Sequence, residues 1–181
     1  MVHRFLDLGI IYEIKIENVS FVILHEMLED LNISAEEVQF AAIANMKKQA
    51  KIQTMREILS EHFLEAEVSP QKESSAEMYV VSAGDDLITG KLSNGAAAIL
   101  SRSIRKQIVK RMGGNAYLLP SSIEEFIVCP EIKGEEKELL KMVYSINHSD
   151  IIPDSLFLSN SIYYLEENGD IRVITSEKMK P

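Results

Sequence analysis

The sequence has a single cysteine, Cys129, among 181 residues, so no disulfide can form within the chain. This fits a reducing compartment, and we expect a cytoplasmic protein in which Cys129, at the end of an apolar run, is a core residue. No apolar run approaches the ~20 residues that cross a bilayer, which argues against an integral membrane protein. A signal peptide is not predicted either, because Asp7 and Glu13 interrupt the N-terminal apolar run.

Motifs that hold metals or nucleotides are also missing. The four histidines are too widely spaced for a helical or loop chelate; they are His3, His25, His62 and His148. The phosphate loops G-x-x-x-x-G-K and G-x-G-x-x-G do not occur. We therefore expect no metal and no cofactor.

Acidic residues outnumber basic residues by 28 to 19, which gives a formal net charge of −9. Because a nucleic-acid backbone repels such a chain, general binding to free nucleic acid is not expected. The charge is uneven. Residues 1–67 contain 6 basic and 12 acidic residues, whereas residues 87–123 contain 6 basic residues and no acid.

The basic stretch includes an amphipathic helix predicted over residues 101–112 and ended by two glycines. At about 100° per residue, one side of the helix carries four basic residues, our candidate partner-binding set: Arg102, Arg105, Lys106 and Lys110. The other side, with Ile104, Ile108 and Met112, should face the core. The basic side could contact phosphates or an acidic protein, or it could balance the protein's own acidic surface and solvate the helix.

Residues 115–130 read NAYLLPSSIEEFIVCP, which predicts two buried strands joined by a turn. Ser121 and Ser122 follow a strand, as some hydrolase nucleophiles do, but the glycines of a nucleophile elbow are absent. With Glu124 or Glu125, these serines are better explained as caps of a helical turn. We therefore select no catalytic residue.

The apolar content of 46% is enough for one folded domain, which we predict over residues 1–181. Residues 1–67 are expected to form a hairpin, with strands at 8–16 and 20–25, and helices at 26–31, 34–50 and from 54. Capping boxes are predicted at Ser34 with Glu37 and at Thr54 with Glu57. Residues 68–77 are polar and serine-rich and predict a linker loop.

Residues 78–181 are expected to form a sheet with helices. Strands are predicted at 78–82 and in 115–130, a small-residue strand or strand-to-helix corner at 95–100, and a helix at 135–147. A hairpin at 161–165 and 170–174, with residues 166–169 as its loop, closes the pattern. Together the segments predict an α+β fold, with a largely antiparallel sheet and helices packed on one face.

Several short motifs recur through most of the chain: HRFLDL at 3–8, MYV at 78–80, GAAAIL at 95–100, YLLPSSIEE at 117–125, Asn147 ahead of Ile152-Pro153, and Tyr163-Tyr164. In this order they resemble an uncharacterised domain family common in Gram-positive gut bacteria. The family extends further at its N-terminus, so the chain resembles its C-terminal part. After GAAAIL the family tends toward tyrosine–proline–glycine, where this chain has SRSIRK. The resemblance implies a soluble, non-secreted protein found near mobile elements, and it transfers no catalytic residue.

The leading hypothesis is a small acidic, non-enzymatic protein-interaction protein of a bacterium or its mobile element. In its sharper form, the chain is an anti-CRISPR-like inhibitor that occupies the positive channel of a nucleic-acid-handling complex, so the partner is a protein or ribonucleoprotein. The alternative is an enzyme acting on RNA or a phosphoester, with the basic helix as grip and Glu124 or Glu125 as base. A third hypothesis is a homodimeric structural module, because unpaired strand edges favour dimers.

Overall fold

A computed structural model of the chain describes residues 2–16, 19–62, 77–84, 94–149 and 152–175. The strands are β1 Val2–Phe5, β2 Leu8–Ile11, β3 Glu13–Ile16, β4 Val19–Val22, β5 Ala50–Thr54, β6 Tyr79–Ala83, β7 Ala116–Ser122, β8 Glu125–Pro130, β9 Ile162–Leu165 and β10 Ile171–Ile174. The helices are α1 His25–Leu31, α2 Ala35–Gln49, α3 Met55–His62, α4 Arg102–Met112 and α5 Glu136–Asn147, with 3₁₀ helices at Gly95–Leu100 and Asp154–Leu156.

The centre of the fold is a six-stranded antiparallel sheet with the order β10-β9-β7-β8-β6-β5. Strands β7 and β8 lie in its middle, as their near-continuous apolar sequence predicts. Two further antiparallel pairs, β1–β2 and β3–β4, form separate two-stranded sheets. The predicted α+β class with a largely antiparallel sheet is confirmed.

The helices cover both faces of the sheet rather than the single face that the sequence predicted. Alternate residues of β7 show why, because successive side chains of a strand point to opposite faces. Ala116 and Leu118 pack in a core with Ile104 and Ile108 of α4, whereas Tyr117 and Leu119 pack in a second core with α5.

Most N-terminal elements follow the prediction, and two strands were missed. The β3–β4 hairpin, α1 and α2 form as expected, and the predicted strand over 8–16 is interrupted at Tyr12. The carbonyl of Tyr12 accepts a hydrogen bond from the Ile23 amide. Strands β1 and β5 are four and five residues long, and each is defined by a partner outside its own segment, β2 and β6. Short strands of this kind have little local signal.

Both predicted capping boxes are confirmed. The Ser34 hydroxyl accepts from the Glu37 amide at 3.2 Å, while the Glu37 carboxylate accepts from the Ser34 amide at 2.8 Å. Thr54 and Glu57 make the same reciprocal pair at the start of α3. Each box supplies partners for backbone amides that the first helical turn leaves unpaired.

Two predicted segments differ in the structure. Residues 95–100 form a 3₁₀ helix, and there is no room for a side chain at Gly95, where a Cβ would lie 2.2 Å from the Glu124 carbonyl oxygen. Pro120 lies in β7, beyond the residues that pair with β9, so its missing amide breaks no ladder there. The turn falls at Ile123 and Glu124. The predicted linker at 68–77 lies outside the described residues except for Glu77.

Two buried tyrosines, Tyr117 and Tyr163, make the free energy of unfolding depend on pH in the alkaline range. Burial raises the pKa of Tyr163 and of Tyr117, and the hydrogen bonds that they donate to Asp7 and Glu136 raise it further. Above pH ~10 the unfolded chain releases these protons and the folded chain retains them, so the free energy of unfolding should fall as pH rises. Urea unfolding between pH 8 and 11 measures how steeply the free energy of unfolding falls with pH. This slope should be smaller in Tyr117→Phe and in Tyr163→Phe than in the wild-type chain. An unchanged slope in both variants contradicts this assignment.

Candidate functional site

The β3–β4 hairpin has one wholly apolar face. Its register pairs Ile14 with Phe21 and Ile16 with Val19, so these four residues lie on one face, which we call the apolar hairpin face. Toward the tip this face is open, since Ile16 is 57%, Val19 62% and Phe21 39% exposed. Exposed apolar side chains grouped on one face at the end of a two-stranded hairpin form a site where another protein can bind.

The apolar hairpin face is continuous with a small core beneath α1 and α2. Tyr12, Ile23 and Leu28 form this core, and Ile14 packs against it. The core therefore fixes the orientation of the hairpin, while the outer three residues of the same face extend beyond it.

The helix that follows β4 carries only acidic charge. Glu26, Glu29 and Asp30 are exposed on α1, and no lysine or arginine occurs between residues 20 and 46. None of the three forms an ion pair with another described residue. This acidic α1 surface, adjoining the apolar hairpin face along the chain, can attract a positively charged partner.

One carboxylate fastens the N-terminal strands to the sheet. Asp7 lies in the β1–β2 turn, where Leu6 has a φ of +58°. Its carboxylate accepts hydrogen bonds from the hydroxyls of Ser159 at 3.1 Å, Ser161 at 2.7 Å and Tyr163 at 2.8 Å. Sequence reasoning missed this cluster, because Asp7 is more than 150 residues away from each of the three hydroxyls that it binds.

The basic helix α4 is tied into the protein through Arg105. This arginine is 8% exposed, and its guanidinium donates to the carbonyl oxygens of Gly169 at 2.7 Å, Ile99 at 2.5 Å and Leu100 at 3.3 Å. Burial lowers the pKa of Arg105, but an arginine stays protonated in proteins. We call this arrangement the Arg105 clamp; it joins α4 and the Gly95–Leu100 helix to the β9–β10 loop.

The other three predicted partner-binding residues are exposed, and one of them is ion-paired. Arg102 pairs with Asp170 at 2.9 Å, and both side chains are more than half exposed. Lys106 and Lys110 are exposed and form no ion pair with a described residue. Arg111, a basic residue of α4 outside the predicted set, donates to the Ile52 carbonyl oxygen. Arg105 therefore contributes little accessible charge, and partner binding by the set of four stays a prediction.

The residues considered for nucleophilic or acid–base chemistry, Cys129, Ser122 and Glu124, lie in different surroundings. Burial raises the pKa of the Cys129 thiol to about 11, so its nucleophilic thiolate is scarce at neutral pH. Ser122 accepts from the Glu124 amide at 3.0 Å and so caps a β-turn rather than a helical turn. Burial, followed by the nearby charge of Glu125, raises the pKa of Glu124.

The histidines of the described ranges do not form a common centre. His3 contacts the Tyr12 hydroxyl at 3.1 Å, and His148 stacks on Tyr144 with 3.9 Å between ring centroids. Over the described ranges, no three histidine, cysteine, aspartate or glutamate side chains are grouped so that they could hold a metal ion. The helices of the same ranges include none with the length and apolar character to cross a membrane.

Comparison with known proteins gives one match. The model of a family described as "Family of unknown function (DUF5688)" matches residues 1–167. The chain therefore belongs to this family. No curated protein and no solved structure matches it.

The Arg105 clamp predicts that neighbouring basic residues of α4 differ sharply in their effect on folding. Arg105→Met removes the donors of three carbonyl groups and should lower the free energy of unfolding by about 3 kcal/mol. Lys106→Met removes an exposed charge from the same helix and should change it by less than about 0.5 kcal/mol. Urea unfolding at pH 7 measures both. Equal losses would mean that Arg105 does not hold the loop.

Proposed function

We propose that this chain, a member of the DUF5688 family, is a non-enzymatic interaction protein that docks on a positively charged protein or ribonucleoprotein. The observation that carries this proposal is the open apolar hairpin face, which is followed directly by the acidic α1 surface. The occupant is a nucleic-acid-binding surface, because such a surface carries a basic patch that is complementary in charge to the acids of α1.

The two parts of the surface have different tasks. Ile16, Val19 and Phe21 are about half exposed, so covering them contributes about 1 kcal/mol for each side chain. The acids of α1 contribute mainly to the association rate, because opposite charge steers the encounter of two proteins. The complex should therefore form more slowly as salt concentration rises.

The sharper form of the proposal concerns defence systems. A chain of net charge −9 that covers a positive nucleic-acid channel acts as an inhibitor, in the manner of an anti-CRISPR protein. Cytoplasmic location, association with mobile elements, an origin in Gram-positive gut bacteria and correspondence to the C-terminal part of longer family members all stay predictions.

Capture from a nuclease-treated lysate of the native host tests the docking surface. Two variants remove one component each: Val19→Ser with Phe21→Ser, and Glu26→Gln with Glu29→Gln and Asp30→Asn. The matched control, Glu135→Gln with Asp154→Asn and Glu167→Gln, makes the same charge change at exposed sites of the C-terminal part. The captured partner should bind nucleic acid itself, and added duplex DNA should displace it. Capture should fall at least about tenfold in both variants and stay unchanged in the control.

Two outcomes overturn the proposal. One is a partner retained equally by the wild-type chain and both variants. The other is a partner that duplex DNA does not displace, since that partner does not present its nucleic-acid surface. For the inhibitor form, the readout is cleavage by guide-loaded CRISPR nucleases with and without the purified chain. If the nucleases cleave equally with and without the chain, and no complex forms, the inhibitor hypothesis is wrong, while the more general docking proposal is unaffected.

The raised pKa of Glu124 is the one observation that favours the enzymatic alternative, since a general base needs a pKa nearer neutrality. Single-stranded RNA and bis(p-nitrophenyl) phosphate are suitable substrates. The alternative predicts turnover that is lost in Glu124→Gln and weakened in Lys106→Ser with Lys110→Ser. Arg105 is left intact because its replacement disturbs the fold. No turnover of either substrate by the wild-type chain contradicts the alternative, whereas turnover that depends on Glu124 contradicts the non-enzymatic proposal.

A further inference from the structure

Helix α2 is 15 residues long, and none of its residues is fully buried. One face packs on the protein: Ala35, Val38 and Ala42 lie against the small N-terminal core, and Met46 lies against the main core. The opposite face, within an arc of about 120° at 100° per residue, consists of Glu36, Glu37, Phe40, Ala44, Lys47 and Lys48. We call it the outer face of α2.

The centre of the outer face is apolar. Phe40 is 79% exposed, the largest value among the exposed large apolar side chains of the described residues. Ala44 lies one helical turn further on and is small enough to let another helix approach closely. The large Phe40 side chain therefore projects from the outer face next to the small Ala44, which leaves space for a side chain of another molecule.

The ends of the outer face carry opposite charges. Glu36 and Glu37 occupy the first turn of α2, and Lys47 and Lys48 occupy the last. No ion pair is found between any of them and another described residue. Although the Glu37 carboxylate accepts from Ser34 at the helix cap, this hydrogen bond lowers its pKa and so keeps it charged.

We propose that the outer face of α2 binds the same face of a second copy, with the two helices antiparallel. A two-fold axis level with Ala42 places Glu36 beside Lys47 of the second copy and Glu37 beside Lys48 of the second copy. Each Phe40 then packs over Ala44 of the other chain. The arrangement is isologous, so each charge pair occurs twice.

The charge order selects a second copy over a foreign partner. A partner with charge of one sign is attracted at one end of the outer face and repelled at the other. The chain's own sequence, reversed in direction, complements both ends. The surface is also distinct from the apolar hairpin face and the acidic α1 surface, so dimerisation leaves the proposed docking function available in each copy.

Sedimentation velocity over a range of concentrations, up to the highest soluble one, tests the proposal. The wild-type chain should show a reversible monomer–dimer equilibrium. Phe40→Ser should raise the dimer dissociation constant at least about tenfold. Phe157→Ser is the matched control, because Phe157 is an exposed phenylalanine (42%) outside α2, and it should leave the equilibrium unchanged.

Charge reversal gives a second, independent readout. Glu36→Lys and Lys47→Glu each place like charges together twice and should each weaken the homodimer about tenfold. An equimolar mixture of these two variants should recover dimer, because its heterodimer has opposite charges at both altered sites. The double variant Glu36→Lys with Lys47→Glu should recover it as well. These residues are exposed, so circular dichroism should show that every variant keeps its fold.

A wild-type chain that stays monomeric at every concentration overturns the proposal. A dimer that Phe40→Ser and both charge reversals leave unchanged also overturns it, because the contact then lies elsewhere. Failure of the mixed variants to recover dimer contradicts the antiparallel pairing.

Discussion

The Arg105 clamp is the interaction on which the rest of the architecture depends. One guanidinium satisfies carbonyl groups at the end of a 3₁₀ helix and in the β9–β10 loop, two segments more than 60 residues apart. Gly169 is required at this contact, since its φ is +84° and a Cβ there would lie 2.9 Å from the Lys106 side chain. The clamp ties α4 to the β9–β10 loop and uses the charge of Arg105, one of the four basic residues predicted to bind a partner.

The chain has two parts with different physical character. The sheet from β6 to β10 is covered on both faces, and its central strand β7 is almost wholly buried. Such a sheet serves as scaffold. The N-terminal part is attached through Asp7, through strand β5 and through apolar residues that pack against the main core, namely Phe5, Leu8 and Met46. At its surface it keeps apolar side chains and acids that form no ion pair with a described residue. Surfaces that expose apolar groups beside charge are where proteins meet other proteins, and the proposed function rests on that contrast.

The parts of the fold that were predicted from the sequence are those encoded by short-range patterns. The capping boxes at Ser34 and Thr54, the glycine end of α4 and the closing hairpin each depend on residues a few positions apart. Two of the features that were missed, β5 and the role of Asp7, depend on distant partners. Strand β5 exists because β6 lies beside it, and Asp7 has its role because β9 brings three hydroxyls to it.

The candidate site shows the same limit. Helical periodicity placed Arg105 and Lys106 on the same basic side of α4. Only the tertiary structure shows that Arg105 is buried in the clamp while Lys106 is exposed. The acidic balance of residues 1–67 was visible in the sequence, but the open end of the apolar hairpin face was not. Its four residues look like core until the register and the surroundings of the hairpin are known.

Site-specific photo-crosslinking in the native host tests most directly whether the interaction surface lies in the N-terminal part or on α4. A photo-reactive amino acid is introduced in place of Phe21 on the apolar hairpin face or in place of Lys106 on α4, both of which are exposed. The account predicts a discrete crosslinked partner from the position of Phe21 and none from the position of Lys106. A partner crosslinked from the position of Lys106 alone would contradict it.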